Sequence, residues 1–231
     1  MGKLCKDQLA EKLAILFGEA DPQNIDDAVA QAKSQLGQSA KRSELENLFD
    51  TQIATLKERG VPEQIVEMCQ NQRSSVLAKA SETAFKEGRI PFLPVIPRDF
   101  LSIYSQMVLV KIGGKTGVNY LKPSLVTNVV KTPDEPYYIF DIEDGEAMLD
   151  KAPKDAKKFI KKQGRRGLIE VEVISLCVHT NVLSRHFVDA TGSRCRRGRV
   201  PCLGLCGATP RLHAGDADYA YPFFGAASCG E

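Results

Sequence analysis

The strongest constraint on what this chain can fold into is a change of rhythm at Gly88. Up to that residue apolar side chains recur three and four apart, as on one face of a helix; beyond it they alternate or gather in short runs between turn residues. The changeover is marked by Ile90-Pro91-Phe92-Leu93-Pro94-Val95-Ile96-Pro97, in which proline takes every third place. Proline brings no N–H to a sheet ladder, so a strand built from this run has limited pairing. The spacing also permits a polyproline II ligand, but the intervening Phe, Leu, Val and Ile are costly to expose, which favours a buried extended segment. Helices first and strands later argue against the alternating order of a parallel α/β sheet. The expectation is α+β: an N-terminal helical region, residues 1–88, followed by an α+β domain, residues 89–231, with a mainly antiparallel sheet and packed helices.

Four helices are predicted before Gly88. Leu9, Leu13, Leu16 and Phe17 form a stripe ended by Gly18. Asp21 and Pro22 supply an N-cap and a first-turn proline for a second, whose stripe of Ile25, Val29, Ala32 and Leu36 stops at Gly37. Ser43 and Glu46 have capping-box spacing ahead of Leu48, Phe49, Ile53 and Leu56, and Gly60 closes this third helix. The fourth starts at Pro62 and runs toward Gly88, as one helix or as two pieces. Further on, residues 106–112 read as a strand before a turn at Gly113, Gly114 and Gly117, and residues 137–142 as a second strand. Asp144-Gly145 is a hairpin signal leading into residues 147–149. Residues 153–163 form a helix with Ala156, Phe159 and Ile160 on its apolar side. Residues 168–183 alternate at first, but Glu172, Ser175 and His179 fall three and four apart in a run too long for a strand, so a helix is expected. Short strands follow at 200–206, 211–214 and 223–229.

With 231 residues, 43% hydrophobic and 26% charged, the chain buries a sizeable core without a metal or disulfide. A net charge of +2 gives no global field toward nucleic acid or membrane, so any such preference comes from a local patch. Residues 1–9 interleave Lys3, Cys5, Lys6 and Asp7 with apolar residues, unlike a secretion signal, and no run approaches the roughly 18 apolar residues of a membrane span. Seven cysteines, an odd number, suit free thiols. A cytoplasmic protein without membrane contact is expected.

Several constellations invite chemistry. Gly113-Gly114-Lys115-Thr116 contains Gly-Lys-Thr, but Leu109 stands where a phosphate-binding loop needs its first glycine, which leaves a glycine-rich hairpin turn. Asp141, Glu143, Asp144 and Glu146 could serve a cation, yet an EF-hand loop with its glycine at Gly145 would start at Phe140, which is no ligand. Cys195, Cys202 and Cys206 lie near His179, His186 and His213 in sequence. Cys202 and Cys206 are four apart on one predicted strand, about 13 Å, too far to chelate together. Glu172, Ser175 and His179 resemble a triad cast, and Cys229 with His213 a thiol and base, but neither has a nucleophile turn or oxyanion hole around it.

Positive charge is the most coherent local signal. Lys154 to Arg166 holds seven basic residues against Asp155 alone, and Arg194 to Arg211 adds five arginines without an acid. A polyanion, RNA or DNA, would be held by Lys157, Lys158, Lys161, Lys162, Arg165 and Arg166, joined by Arg194, Arg196 and Arg197, through its backbone charge. No aromatic stacking platform interleaves these residues. The functional expectation is therefore a non-catalytic binding or regulatory module without metal or other cofactor. A hydrolase or transferase with a His, Cys and acid pocket, and a structural scaffold, are the alternatives.

From Phe49 onward a series of strings carries a likeness: Ile90-Pro91-Phe92, Pro136-Tyr137-Tyr138-Ile139-Phe140-Asp141-Ile142, Thr191-Gly192-Ser193-Arg194, Arg199-Val200-Pro201 and Gly225-Ala226-Ala227-Ser228-Cys229. In their order they resemble an uncharacterised bacterial family known as a domain of unknown function. The last strands of that family are rich in tryptophan, where this chain has Tyr219, Tyr221, Phe223 and Phe224 and no tryptophan at all. The resemblance implies a bacterial source and supplies no reaction, substrate or site residue.

Overall fold

The computed structural model describes residues 22–83 and 86–230, so the predicted first helix and the Asp21 cap lie outside the described residues. The chain divides into two compact units, Met1–Glu46 and Asn47–Glu231. A single helix, α1 (Pro22–Arg59), runs through the boundary and past both predicted breaks. Gly37 costs a helix interior only about 1 kcal/mol relative to alanine, and the Ala, Gln, Lys and Leu around it are good helix formers. Ser43 and Glu46 lie inside the helix instead of capping it, and Glu46 accepts a bond from Arg42 Nε at 3.1 Å, one turn earlier. Gly60, in the left-handed region at φ 85°, does end it. Two pieces follow, α2 (Glu63–Gln70) and α3 (Arg73–Glu82).

In the second unit β1 (Ile90–Val95) pairs antiparallel with β6 (Tyr137–Ile142), Leu93 opposite Ile139, as a two-stranded sheet. The proline-punctuated run is thus a buried extended segment. Carbonyls that no neighbouring strand serves are taken by side chains: Gln52 Nε2 donates to Phe92 O at 2.8 Å, Ser175 Oγ to Pro94 O at 2.5 Å, and Gln106 Nε2 to Ile96 O at 2.9 Å. Phe49 stacks on Tyr138 with centroids 5.6 Å apart, and Phe92 meets the same ring edge-on at 6.0 Å.

Residues 106–109, expected as the first half of a strand over 106–112, belong instead to the helix α4 (Ile103–Leu109). Ser102 caps it, its Oγ accepting from Ser105 N at 3.2 Å, and Ile103, Gln106 and Met107 make the buried stripe. The glycine turn then closes the hairpin β2 (Lys111–Ile112) and β3 (Lys115–Thr116), with Gly113 and Gly114 at φ 53° and 76°. The chain continues through β4 (Val118–Asn119) and β5 (Val126–Asn128) to β6, and then α5 (Pro153–Lys162), β7 (Arg165–Gly167) and α6 (Glu170–His179). The last part holds β8 (Phe187–Asp189), β9 (Ser193–Cys195), β10 (Val200–Cys206), β11 (Thr209–Gly215), β12 (Phe224–Ala226) and β13 (Ser228–Gly230).

The larger sheet has the order β12-β8-β10-β11-β4. β10 is antiparallel to both neighbours, while β4 and β12 join parallel at the two edges. β5 pairs with β9 and β13 with β7, both antiparallel. The result is α+β, mainly antiparallel, with α6 at its centre. α6 is buried from Glu170 through Val178, as expected of a helix that is apolar on most sides. No helix among the described residues is long and apolar enough to cross a membrane.

Two local expectations are corrected. Asp144-Gly145 opens a 3-10 turn (Glu146–Met148), not a hairpin, because the Glu143 carboxylate accepts from Gly145 N at 3.2 Å and Ala147 N at 2.9 Å. The single strand expected at 223–229 is two, since the chain leaves β8 for β7 at Ala227, whose carbonyl accepts from Leu168 N at 3.0 Å. At this crossing Gly225 meets Gly145 so closely that a Cβ on Gly225 would lie 2.0 Å from the Gly145 carbonyl oxygen. Gly225→Ala should therefore lower stability by about 1–3 kcal/mol, read as a reduced urea midpoint at unchanged slope.

Candidate polyanion-binding cleft

The nine basic residues marked by sequence fall into three places. Lys157, Lys158, Lys161 and Lys162 lie on α5, which buries Ala156 and Ile160 in a cluster with Met148 and Ala226. Phe159, expected to pack beside Ile160, is 45% exposed among the lysines, because Ala156 and Ile160 already fill the one inward stripe. Lys158 is held by Asp155 at 2.9 Å. Lys157 is half-buried, and its pKa is lowered by that burial and then by Arg194 and Lys161. Arg194 therefore stands beside α5, in a group of like charges.

Arg165 and Arg166 do not belong to that face. Arg165 is buried and donates to the carboxylate of Asp141, to Ser228 Oγ at 3.1 Å and to Ser228 O at 3.1 Å. Arg166 forks onto both oxygens of Glu172 at 2.8 and 2.6 Å. Their guanidiniums bind strands and helix together, so nearness in sequence to the lysines misplaced them.

Arg196 and Arg197 form a third group. In β9, Cys195 lies opposite Val126 of β5, and successive strand side chains point to opposite faces. Arg194 turns toward α5, and Cys195 faces a cleft of about 230 Å³. Tyr120, Lys122, Arg196, Arg197 and Arg199 line this cleft together with the apolar Leu121, Leu125, Val126 and Ala214, and no carboxylate is among the lining residues. Arg197 sits at φ 59° and Gly198 at φ 73°, a turn closed by Cys195 N donating to Arg199 O at 2.8 Å. This left-handed arginine costs about 1 kcal/mol or more and holds Arg196 and Arg197 out in solvent. Arg199 is tied to the Ala214 carbonyl.

Tyr120 is the member that sequence reasoning missed. It is 59% exposed, and the Arg211 guanidinium lies over its ring, 5.3 Å from the centroid. Parallel pairing of β4 with β11 brings it there: Val118 is opposite Arg211, and Tyr120 N donates to Leu212 O at 2.8 Å. Nothing near Tyr120 in sequence signals this.

The members of the catalytic constellations are committed to other partners or buried. Glu172 serves Arg166, Tyr137 Oη at 2.7 Å and Ile169 N at 2.8 Å, while Ser175 donates to Pro94 O. Both ring nitrogens of His179 are buried without a hydrogen-bond partner, and burial, with Arg59 nearby, pushes its pKa down to about 4. Cys229 lies in β13 against β7, and the thiol that meets His213 is Cys202, with Sγ 3.3 Å from Nδ1. Burial, then Asp189, pushes the Cys202 thiol up, and burial pushes His213 down. Both partners are thereby held neutral, the reverse of a thiolate and imidazolium pair. Cys206 is exposed at the far end of β10, and among the described residues no three His, Cys, Asp or Glu side chains converge to hold a metal ion.

Each of the four clustered carboxylates has a local task. Asp141 takes Arg89 at 2.6 Å as well as Arg165, Glu143 caps the 3-10 turn, and Glu146 takes Arg185 at 3.0 Å. Burial acts to raise the Asp144 pKa, but the His186 ring at 3.5 Å, the Glu146 N–H and Arg185 outweigh it and hold the carboxyl at about 2. A smaller cleft of about 130 Å³ is lined by Arg98, Asn128, Asp134 and Tyr137, among others. Arg98 is spent there on the buried Glu170 and on Asn128 Oδ1 at 3.3 Å.

No curated protein and no solved structure is detectably similar to the chain. Residues 47–223, more than half of the chain, match a family of unknown function (DUF5701), and the protein belongs to that family.

Proposed function

We propose that the protein is a non-catalytic binding module that holds the phosphate backbone of a nucleic acid in the arginine cleft, with the α5 lysines and Arg194 as a secondary basic surface. One observation carries the reading: Arg196, Arg197 and Lys122 converge on a cleft without a lining carboxylate, in a chain whose overall charge is only +2. Like charges gathered without a counter-ion repel one another, and an anion relieves that repulsion. Guanidinium forks match phosphate oxygens in pairs. The strained backbone of Arg197 supports the same reading, since strain concentrates where a side chain is held for a ligand. Free thiols at Cys69, Cys177, Cys202 and Cys229 support a reducing compartment, the cytoplasm.

The test is a titration of a labelled oligonucleotide of about 12 nucleotides at several salt concentrations. Binding is expected at low salt, falling steeply as salt rises. The variant R196Q/R197Q should bind about tenfold or more weakly, with a log–log salt slope shallower by about 1.4, two phosphate contacts at about 0.7 each. K157Q/K158Q/K161Q/K162Q should weaken binding less. Absence of binding at low salt, or equal binding by R196Q/R197Q, overturns the reading.

A further inference from the structure

We infer that the nucleic acid held in this cleft is single-stranded, with one base laid against the ring of Tyr120; this rests on the backbone-binding reading above. Tyr120 has the requirements of a stacking platform. The residue is 59% exposed, so a ligand can reach it. It is also held in place: its backbone N–H is bonded to Leu212 O at 2.8 Å, and the Arg211 guanidinium lies over the ring. Tyr120 lines the cleft, whereas Arg211, which covers part of its ring, does not. A π-face in that position accepts a base of any identity.

The surroundings divide the work as a single strand requires. Arg196, Arg197 and Lys122 offer charge for phosphates at the rim, while Leu121, Leu125 and Val126 give the cleft an apolar wall that a charged backbone alone would not use. A single strand can lay an unstacked base in the cleft, whereas the bases of a duplex are stacked on each other and cannot present a face to the ring. The stacking contact itself carries little sequence preference, because every base offers a π-face to the ring.

The test uses the full chain with three probes at low salt: a single-stranded oligonucleotide, the same sequence as a duplex, and heparin, a polyanion without bases. The single strand should bind more tightly than the duplex. Y120A should weaken single-strand binding on the order of tenfold, Y120F should keep it, and both should bind heparin as the parent does. Y219A removes an aromatic ring of similar exposure outside the cleft, 57%, and should bind the single strand like the parent. If Y120A binds the single strand undiminished, or the duplex binds as tightly, the stacking inference falls. In that case, loss of binding in R196Q/R197Q still upholds the backbone reading. If neither oligonucleotide binds, both fall together.

Discussion

Replacing Glu172 with Gln should destabilise the folded protein by about 3–5 kcal/mol, the range for breaking a buried ion pair from one side. Glu172 is fully buried near the start of α6, and its two oxygens accept four bonds. Oε2 takes Ile169 N and Arg166 Nη1, each at 2.8 Å, and Oε1 takes Arg166 Nη2 at 2.6 Å and Tyr137 Oη at 2.7 Å. Glutamine keeps the shape but turns an N–H₂ toward one of these donor sets and leaves the Arg166 charge unpaired in a mostly buried position. It also removes a negative charge from the positive end of the helix dipole. Urea denaturation at neutral pH measures the effect, with K158Q as a surface control expected to change stability by about 0.5 kcal/mol or less. Replacing both partners, E172L with R166M, should recover part of the loss, because the larger penalty lies in stranding one charge. A loss under about 1 kcal/mol in E172Q would contradict this account of the pair.

At pH 8 D189N should be more stable than the parent by an amount on the order of 3 kcal/mol, and near pH 4 the two should be alike. Asp189 is 3% exposed, in β8 between β10 and β12, and burial lifts its pKa to about 7. An unfolded aspartate titrates near 3.9. Between those values the folded chain keeps a proton that the unfolded chain has released, so stability falls as pH rises, by up to about 1.4 kcal/mol per unit. Below the window both states are protonated; above it the full penalty of a buried charge is present. Asparagine has nearly the same shape and no proton to lose. Denaturation midpoints at pH 4, 6 and 8 give the comparison, and parallel profiles for parent and variant would mean that Asp189 does not carry this titration.

The legible parts of the fold are those whose cause is local. The short, mostly apolar runs at 137–142 and 200–206 and the proline-limited run before them are all strands, and the apolar triplet of 153–163 belongs to α5 with only Phe159 misplaced. Misreadings arose where one side chain decided between two local structures. Ser102 makes a helix of a segment that alternates well enough for a strand, and Glu143 makes a turn of a dipeptide that otherwise favours a hairpin. Gly37 resembles a stop, but a lone glycine between good helix formers is only a small penalty, and the helix runs through it. The site follows the same division. Arg196 and Arg197 were visible as charge, but Arg165 and Arg166 look the same in sequence, and their carboxylate partners Asp141 and Glu172 alone distinguish them. Tyr120 was invisible because its place depends on β4 meeting β11 across nearly half of the chain.

That same long-range pairing has a kinetic meaning. β4 finds its partner only when β11 exists, and β7 only when β13 does. On a ribosome, both strands emerge long before the segments that cover their edges, and contacts of such separation are slow to form. During synthesis the chain therefore carries open strand edges, the form in which copies most readily pair with each other. The arginine cleft, which needs β4, β5, β9 and β11 together, is among the last features of the fold to exist.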